Sequence, residues 1–444
     1  MAANATPPSW YKPGQTPIKR WYGVYTALDF GKLGSNKEIL IEVFESATGG
    51  RLAMRTQFGK TGTIESGKAQ TDWQYDPRSE TLYNAEAAFE AKVKDKTNPR
   101  RDTPYTEIKL ADQSAVKITA PNKPAKVRKA TTEVDIFKAA ILAEAGRQIK
   151  AVLLGSTGLN DLAPEQVNAA KVVLADLGPI VERYEASHAA SLKADIIRYS
   201  NKYFSLIPHQ TGTGHLQIPH SIRDPFAAAV TTAQRISDEY DFLDTLSAAV
   251  ANKAAFQQPE DAADLDLGAE IELASDAETK RIHKLMTSNL GNHRQYGRPG
   301  KVFAVRNPGV HSAYENYGLK IGGERELFHG SRAANWHGIL SQGIRIKPKG
   351  VPHAGSMFGN GAYFADNPMK SYLYTDGGRN GIRYMAVCAV ALGRIMRHQY
   401  SHHYNAAPKG YDSVMGEAGG GLAHNEYIVY DTRQHDLRFI VEFN

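Results

Sequence analysis

The chain contains 444 residues, of which 42% are hydrophobic and 23% charged, enough apolar material for about two to four globular domains. Cys388 is the only cysteine, which excludes an intrachain disulfide and a cysteine-based zinc finger. Residues 1–8 lack the apolar stretch of a signal peptide and no window resembles a membrane span, so we expect a soluble intracellular protein without a membrane partner.

The net charge of +6 is unevenly distributed along the chain. Residues 1–132 hold 21 Lys and Arg against 14 Asp and Glu, a balance of +7, whereas the remainder holds 32 against 33, a balance of −1. A localised basic field attracts nucleic-acid phosphates. A solubilising surface followed by a basic linker explains the charge equally well, so charge alone does not identify a partner.

The N-terminal region combines short strands with one helix. Residues 1–20 are rich in proline and polar residues, which predicts a loose arm. Strand-like runs at 39–44 and 51–58 flank a glycine-containing turn and predict a β-hairpin. Residues 85–96 place apolar side chains at helical spacing. Together these patterns predict a small α+β module over residues 21–100.

Within this module, the run Arg55–Thr63 resembles the WGR domain of DNA-dependent poly(ADP-ribose) polymerases, although Phe58-Gly59-Lys60 stands where Trp-Gly-Arg is usual. The resemblance implies binding to DNA strand breaks through the N-terminal third of the chain. Phe58 would stack on an exposed sugar or base, and Lys60 would contact a phosphate. Because lysine cannot form arginine's bidentate fork, we expect the affinity or the preferred type of break to differ.

Residues 101–132 are rich in proline and contain the basic run Lys123–Lys129, which predicts a linker. A solvated charge run explains this cluster better than a nucleic-acid contact or a localisation signal does.

Residues 133–257 change to a helical period and predict an all-α bundle. Further helices are expected over 187–200 and 225–251. Two apolar stripes define the predicted core: Phe137, Ile141, Ala145, Ile149 and Val152, and then Val167, Ala170, Leu174, Leu177 and Val181. The runs Leu162–Ala170 and Ser200–His209 resemble the helical, autoinhibitory domain of the same polymerases.

Residues 258–444 open with an acidic boundary segment and return to an α+β pattern. One amphipathic helix is predicted over 277–290. Many short strands with few long helices predict an antiparallel, two-sheet domain; the strands are expected at 301–305, 326–328, 382–392, 426–430 and 437–443. The whole chain is therefore predicted to be a multidomain α+β protein.

Three segments of this last region each place one polar residue in an apolar, strand-like context: His329, Tyr363 and Glu426. Glycines lie beside the first two, and glycine lets a ligand approach the backbone closely. In this order the three are similar to the His-Tyr-Glu pattern of the diphtheria-toxin-like ADP-ribosyltransferase fold, in its poly(ADP-ribose) polymerase version. The segments 338–345 and 370–371 match that family as well.

The resemblance implies NAD⁺ as a substrate that loses nicotinamide through an oxocarbenium-like transition state, with no metal ion. Glu426 is the implied catalytic carboxylate, because it can bind the ribose 2′-hydroxyl, favour the cationic transition state and polarise the acceptor. An exposed strand carboxylate is the alternative interpretation. His329 and Tyr363 complete the implied catalytic set, and Lys370 assists acceptor placement.

The resemblance also implies how NAD⁺ is held. The Gly330 backbone and the Ser371 hydroxyl bind the carboxamide, and two tyrosines stack on the nicotinamide ring. His329 and Ser331 bind the adenosine ribose, while Arg345 lies near the adenine or the diphosphate. The two stacking residues are Tyr363 and Tyr374.

We therefore expect a DNA-stimulated NAD⁺ ADP-ribosyltransferase that modifies proteins, including itself, elongates poly(ADP-ribose) and acts in the DNA damage response. In this family a glutamate at the position of Glu426 accompanies elongation. The acceptor-side loop at 408–421 keeps a Pro-Lys-Gly start but is shorter than in larger nuclear members, which leaves acceptor preference and polymer length open. His402 and His403 lack an acidic partner at ligand spacing and are interpreted as surface histidines.

Two alternatives remain open from the sequence. One is a DNA-end-binding scaffold whose transferase domain is vestigial. The other is an NAD glycohydrolase or a transferase that modifies nucleic-acid ends. The expected location is the nucleus in a eukaryote, and the cytoplasm or nucleoid in a bacterial or viral context.

Overall fold

The computed structural model describes residues 6–25, 37–60, 67–98, 105–107, 132–153, 162–219, 224–251, 267–288, 297–348, 357–378 and 381–443, together with Ile64, Phe256 and Val351. The chain forms two compact units. The first comprises Met1–Asn122 and Lys150–Ile236, and the second comprises Lys123–Ile149 and Ser237–Asn444. Among the helices within these ranges, none is long and apolar enough to cross a membrane.

The first unit begins with a five-stranded antiparallel sheet in the order β4-β3-β2-β1-β5 and one helix. Its elements are β1 (Lys19–Tyr25), β2 (Lys37–Glu45), β3 (Leu52–Lys60), β4 (Gln70–Gln74), α1 (Ala85–Lys96) and β5 (Thr106–Glu107). The predicted hairpin is confirmed, because β2 pairs with β3 across the glycine-containing turn. The predicted helix is confirmed with the same bounds.

Both faces of this sheet are covered, and the N-terminal segment covers one of them. Trp10 and Tyr11 pack against Phe44 on the face opposite α1, with the Tyr11 and Phe44 ring centroids 5.0 Å apart. The Trp10 Nε1 donates to the carbonyl oxygen of Glu80 at 2.8 Å. Residues 6–18 are therefore not the loose arm that their composition predicts. Partial burial of two aromatic rings outweighs the tendency of a proline-rich segment to remain disordered.

The middle of the chain is helical. Its elements are α2 (Glu133–Val152), α3 (Pro164–Ser187), α4 (Lys193–Leu206), the short parallel pair β6 (Thr211–Gly212) and β7 (Ile218–Pro219), α5 (Pro225–Ala228) and α6 (Ala233–Ala251). Both predicted apolar stripes are buried. The helix expected near 187 begins later, after a single 3₁₀ turn at Ala190–Leu192.

The single helix expected over 225–251 is interrupted after Ala228. The backbone N–H of Val230 donates to the Ser200 hydroxyl on α4 at 2.9 Å instead of to a helical carbonyl. Val230 is itself buried. A tertiary contact therefore breaks a segment whose local sequence favours a continuous helix.

The second unit contains two sheets, in the orders β10-β12-β16-β9-β8 and β11-β15-β14-β13. The strands are β8 (Glu270–Leu273), β9 (Pro299–Arg306), β10 (Glu324–Gly330), β11 (Ala362–Phe364), β12 (Arg383–Ala391), β13 (Ile395–His398), β14 (Ser413–Gly416), β15 (Glu426–Val429) and β16 (His435–Phe443). The helices are α7 (Asp276–Ser288), α8 (Pro308–Ala313), α9 (Leu319–Ile321), α10 (Trp336–Gln342) and α11 (Pro368–Tyr372). The antiparallel prediction is confirmed for both sheets except for β13 and β14, which pair in parallel.

Helix α2 contributes to the core of the second unit through Phe137. The Phe137 ring stacks on Phe303 of β9 with centroids 4.3 Å apart and meets Tyr384 of β12 edge-on at 5.3 Å. All three rings belong to one buried cluster. An element assigned to the helical region by its periodicity therefore helps to hold the sheet that follows it.

We expect Phe137→Ala to lower the free energy of unfolding of the second unit by about 3–5 kcal/mol, because it removes a buried aromatic ring and leaves a cavity. The neighbouring Ile136, which is 50% exposed, provides the control. Ile136→Ala should change stability by no more than about 0.5 kcal/mol. Denaturant unfolding, followed by a probe in the second unit, measures both. Equal effects of the two substitutions would contradict this account of the core.

Candidate active site

The two sheets of the second unit meet at Ala365. The last paired residue of β11, Phe364, lies opposite Tyr427 of β15. The next residue, Ala365, exchanges two backbone hydrogen bonds with Phe328 of β10, at 2.8 and 2.9 Å. The chain thus leaves one sheet and joins the other within one residue. This register brings the end of β10, with His329, and the start of β15, with Glu426, to either side of Ala365.

His329 is held in one tautomer. Its Nδ1 lies 2.9 Å from the carbonyl oxygen of Tyr363, so Nδ1 must carry the proton and donate it. Burial lowers the pKa of His329, and this hydrogen bond offsets only part of that effect. The imidazole is therefore neutral near pH 7, which leaves Nε2 as an acceptor for a ligand hydroxyl.

Tyr363 presents its ring rather than its hydroxyl. The hydroxyl donates to the Gly359 carbonyl at 2.8 Å and accepts from the Phe358 backbone N–H at 3.1 Å. These bonds fix the ring orientation. The ring is half-buried against the apolar cluster that contains Phe358. The second predicted stacking residue, Tyr374, is 47% exposed, with the Lys370 ammonium 5.4 Å from its ring centroid.

Gly330 and Ser371 are brought together by close backbone packing. A Cβ at residue 330 would lie 1.9 Å from the Ser371 carbonyl oxygen, so only glycine fits without a shift of α11. Helix α11 begins with Pro368 after Asn367, whose side chain accepts from the Met369 N–H at 2.9 Å. The N-terminal cap of α11 therefore sets the position of Ser371 against β10.

Glu426 is a buried carboxylate with one free oxygen. The residue is 3% exposed, and its Oε1 forms an ion pair with the Lys370 ammonium. Its Oε2 is buried without a hydrogen-bond partner among the described residues. Burial by itself disfavours the charged form of Lys370, but the contact with Glu426 outweighs burial and raises the pKa of Lys370. An unpaired buried oxygen is costly, and a ligand hydroxyl would satisfy it.

The remaining predicted residues differ in their surroundings. Ser331 accepts a hydrogen bond from Asn335 Nδ2 at 3.0 Å. Arg345 is exposed and donates to the Gln342 side chain; no contact joins it to another predicted site residue in the part of the chain that the structure describes. Phe58 belongs to the other unit and is half-buried on the sheet face covered by α1, and Lys60 ends β3.

Sequence reasoning missed two ion pairs between α6 and the segments beside the site. Asp238 lies 2.9 Å from the Arg332 guanidinium, and Asp241 lies 2.6 Å from the Lys347 ammonium. The Lys347 ammonium also donates to the Ser237 hydroxyl at 2.6 Å. The available signal was the spacing of the two acids, which share one helix face.

His402 and His403 are exposed, as predicted for surface histidines. Within the described ranges, no group of three or more histidine, cysteine, aspartate or glutamate side chains is arranged to hold a metal ion.

We expect Gly330→Ala to destabilise the second unit, because its new Cβ would force the backbones of β10 and α11 apart. The matched control is Gly338→Ala within α10, where the nearest heavy atom is 3.7 Å from the added Cβ. That control should keep or slightly raise stability. Thermal unfolding of both variants tests the packing, and a Gly330→Ala protein that melts at the wild-type temperature would contradict it.

Comparison with known families gives two matches that follow one another along the chain. Residues 135–268 match the poly(ADP-ribose) polymerase regulatory domain. Residues 276–419 match the poly(ADP-ribose) polymerase catalytic domain, a range that includes His329 and Tyr363, with Glu426 lying just beyond its end.

Similar proteins are found in animals and plants. Poly [ADP-ribose] polymerase 1 of Gallus gallus is 24% identical over 92% of this chain, and the alignment spans 44% of that relative. Poly [ADP-ribose] polymerase 2-A of Oryza sativa is 24% identical over 92% of this chain and 68% of its own length. Poly [ADP-ribose] polymerase 1 of Arabidopsis thaliana is 30% identical over 56% of this chain, and the alignment spans 28% of that relative. On the two consecutive domain matches and these relatives, the chain belongs to the poly(ADP-ribose) polymerase family.

Proposed function

We propose that the chain is an NAD⁺ ADP-ribosyltransferase, which moves ADP-ribose from NAD⁺ to protein acceptors, including itself, and releases nicotinamide. The observation that carries this proposal is the buried carboxylate of Glu426, with one oxygen paired to Lys370 and the other unpartnered. An oxocarbenium-like transition state needs negative charge held close to the ribose. A ribose 2′-hydroxyl donating to Oε2 would satisfy that oxygen and bring the ribose to the carboxylate.

The other site residues divide the work of holding NAD⁺. The neutral His329 accepts a hydroxyl of the adenosine ribose, together with Ser331, and Arg345 lies toward the adenine or diphosphate. The Gly330 backbone and the Ser371 hydroxyl hold the carboxamide, between the rings of Tyr363 and Tyr374. Because the departing nicotinamide begins as a cationic pyridinium, the cleavage requires no Lewis acid.

Lys370 is assigned two effects through its ion pair with Glu426. Its ammonium pairs with one oxygen of the buried carboxylate, and its position beside Glu426 orients the incoming acceptor. A glutamate at this site is what the family pattern associates with elongation, so we include polymer formation in the proposal. The acceptor approaches from the side of the 408–421 loop.

The proposal assigns DNA recognition to the WGR-like module at 21–100. Lys60 is the phosphate contact, and Phe58 offers only the exposed part of its ring. Arg55 is already engaged, because its guanidinium bonds Glu42 and lies 4.9 Å from the Phe44 ring centroid. The basic side chains of the module that are not paired with carboxylates in this way attract the DNA phosphates. Activity would then be required wherever breaks arise, in the nucleus of a eukaryote or the cytoplasm or nucleoid of a bacterium or virus-infected cell.

Incubation with NAD⁺ labelled in the adenosine tests the activity, with and without nicked DNA. We expect label on the protein, increased by DNA, with nicotinamide released in step. Label on the nucleic acid, or free ADP-ribose without labelled protein, would favour one of the alternative enzymes. DNA binding without any NAD⁺ consumption would favour the scaffold, and equal labelling with and without DNA would refute only the activation.

In the same assay, Glu426→Gln should reduce transfer by roughly 100-fold or more and abolish elongation, because it removes the charge that stabilises the transition state. NAD⁺ affinity should stay within roughly threefold of wild type, because the amide still accepts the ribose hydroxyl. Glu272→Gln, which alters an exposed carboxylate of β8, is the control. Long polymers made by Glu426→Gln would refute the assigned role.

We further propose that the helical region at 133–257 restrains the catalytic region at 258–444 through α6. Asp238 holds Arg332, which directly follows Ser331, and Asp241 holds Lys347, two residues after Arg345. Helix α6 thus forms an ion pair with each of the two segments assigned to bind the adenosine side of NAD⁺. Asp238 is 3% exposed, so separating it from Arg332 would cost more than breaking an exposed ion pair.

The double substitution Asp238→Ala with Asp241→Ala should raise transfer in the absence of DNA by roughly fivefold or more, because it removes both ion pairs between α6 and the site segments. The stimulation by DNA should shrink by the same factor. Asp176→Ala with Glu182→Ala, which removes two exposed carboxylates of α3, provides the control for net charge. Initial rates at saturating NAD⁺ measure the effect. Unchanged basal activity in a folded double variant would rule out this gate.

A further inference from the structure

The backbone support of Glu426 is one-sided. On one side, Glu426 lies opposite Gly416 of β14. On the other side, the ladder between β11 and β15 stops at Phe364 and Tyr427, because both backbone groups of Ala365 are bonded to Phe328 of the other sheet. The switch of sheets that opens the site therefore also removes a hydrogen-bonding strand from beside Glu426.

Where this ladder ends, the side chain of Asp366 supplies hydrogen bonds in place of a backbone partner. One carboxylate oxygen of Asp366, Oδ2, accepts a hydrogen bond from Asn425 Nδ2 at 2.9 Å and another from the Tyr427 hydroxyl at 3.1 Å. Asp366 thus binds the residues immediately before and after Glu426. In an extended strand these two side chains point away from the face that carries Glu426. The contact lies behind the strand and leaves the ligand side open.

Both neighbours are fixed at a second point. The Asn425 Oδ1 accepts from the backbone N–H of Ala418 at 2.9 Å, which ties β15 to the acceptor-side loop. The Tyr427 hydroxyl accepts from Arg325 at 3.1 Å while it donates to Asp366. Burial, with the Asp366 charge, raises the pKa of Tyr427 to about 12. The phenol thus keeps the proton that this bond needs.

We propose that Asp366 is a positioning residue for the transfer reaction, acting through Asn425 and Tyr427 to hold Glu426 in its catalytic orientation. The proposal rests on the proposed function of Glu426. Because the side chains on both sides of Glu426 are hydrogen-bonded to Asp366, rotation of the Glu426 backbone is restrained, and its carboxylate stays where the ribose would lie. A misplacement of about 1 Å can cost roughly 100-fold in rate.

The test compares Asp366→Ala with Asp366→Asn. Alanine removes the acceptor, so kcat for transfer should fall by roughly 10- to 100-fold, while KM for NAD⁺ should stay within roughly threefold. Asparagine keeps an oxygen that can accept both bonds, so most of kcat should return. Asp431→Ala is the control, because that carboxylate follows β15 and bonds Arg433 within its own turn. Wild-type kcat in Asp366→Ala, or a loss in Asp366→Asn equal to that in Asp366→Ala, would overturn the proposal.

A double-mutant cycle separates positioning from simple loss of folded protein. In a Glu426→Gln background, Asp366→Ala should cause no further loss of kcat, because the residue through which it acts is already disabled. A purely structural role would lower the rate by the same factor in both backgrounds, and that result would refute the proposal.

Hydrogen exchange gives a readout that does not depend on activity. Asp366→Ala should speed amide exchange in the peptide that covers 424–430 while leaving exchange in β12 unchanged. Wild-type exchange in that peptide would overturn the proposal even for an inactive enzyme. If the wild-type protein is inactive but Asp366→Ala shows the expected faster exchange, only the proposed transferase function is refuted.

Discussion

The two hydrogen bonds between Phe328 and Ala365 are the constraint on which the rest of the site depends. They take the chain out of one sheet and attach it to the other immediately after Phe364 pairs with Tyr427. Buried backbone groups must be paired, so Ala365 can serve only one sheet. The result is a gap in the ladder beside Glu426 and a fixed carbonyl at Tyr363, which orients His329. One change of partner thus arranges both sides of the site.

The same site keeps polar groups where a core would normally exclude them. Glu426 leaves one buried oxygen unpaired, His329 is neutral through burial, and Lys370 is cationic through its ion pair. Each state is costly for the folded chain by itself. The surrounding packing offsets that cost, since the cap of α11 and the tight approach of Gly330 to Ser371 hold these groups in place. These buried polar groups lower the stability of the fold at the residues where ligand chemistry is expected.

Much of this arrangement is accessible from the sequence, because local periodicity determines it. The hairpin of β2 and β3, the bounds of α1 and both buried stripes of the helical region follow from alternation and helical spacing. The failures arise where a distant contact overrides local preference. Trp10 and Tyr11 order a segment with a disordered composition, and the Ser200 hydroxyl interrupts a helix at Val230.

The candidate site divides along the same line. Each member of the His329, Tyr363 and Glu426 set lies in a local pattern, and so could be found by inspection. The residues that support them could not. Asp366 is separated from Asn425 by 59 positions, and its role exists only because two strands diverge beside it. Spatial support of this kind leaves no periodic signal, so a sequence reading identifies the reacting groups before the groups that hold them.

The two ion pairs of α6 show how burial determines the cost of separating an ion pair. Exposed pairs contribute little, and Arg332 is 40% exposed in its side chain, yet its partner Asp238 is almost fully buried. Removing only the arginine would leave Asp238 buried without its ionic partner, which is costly. The second pair has the opposite distribution, with Lys347 the more buried partner. Opening either pair alone would separate a largely buried charge from its ionic partner, so we expect release of the proposed gate to move α6 as a unit.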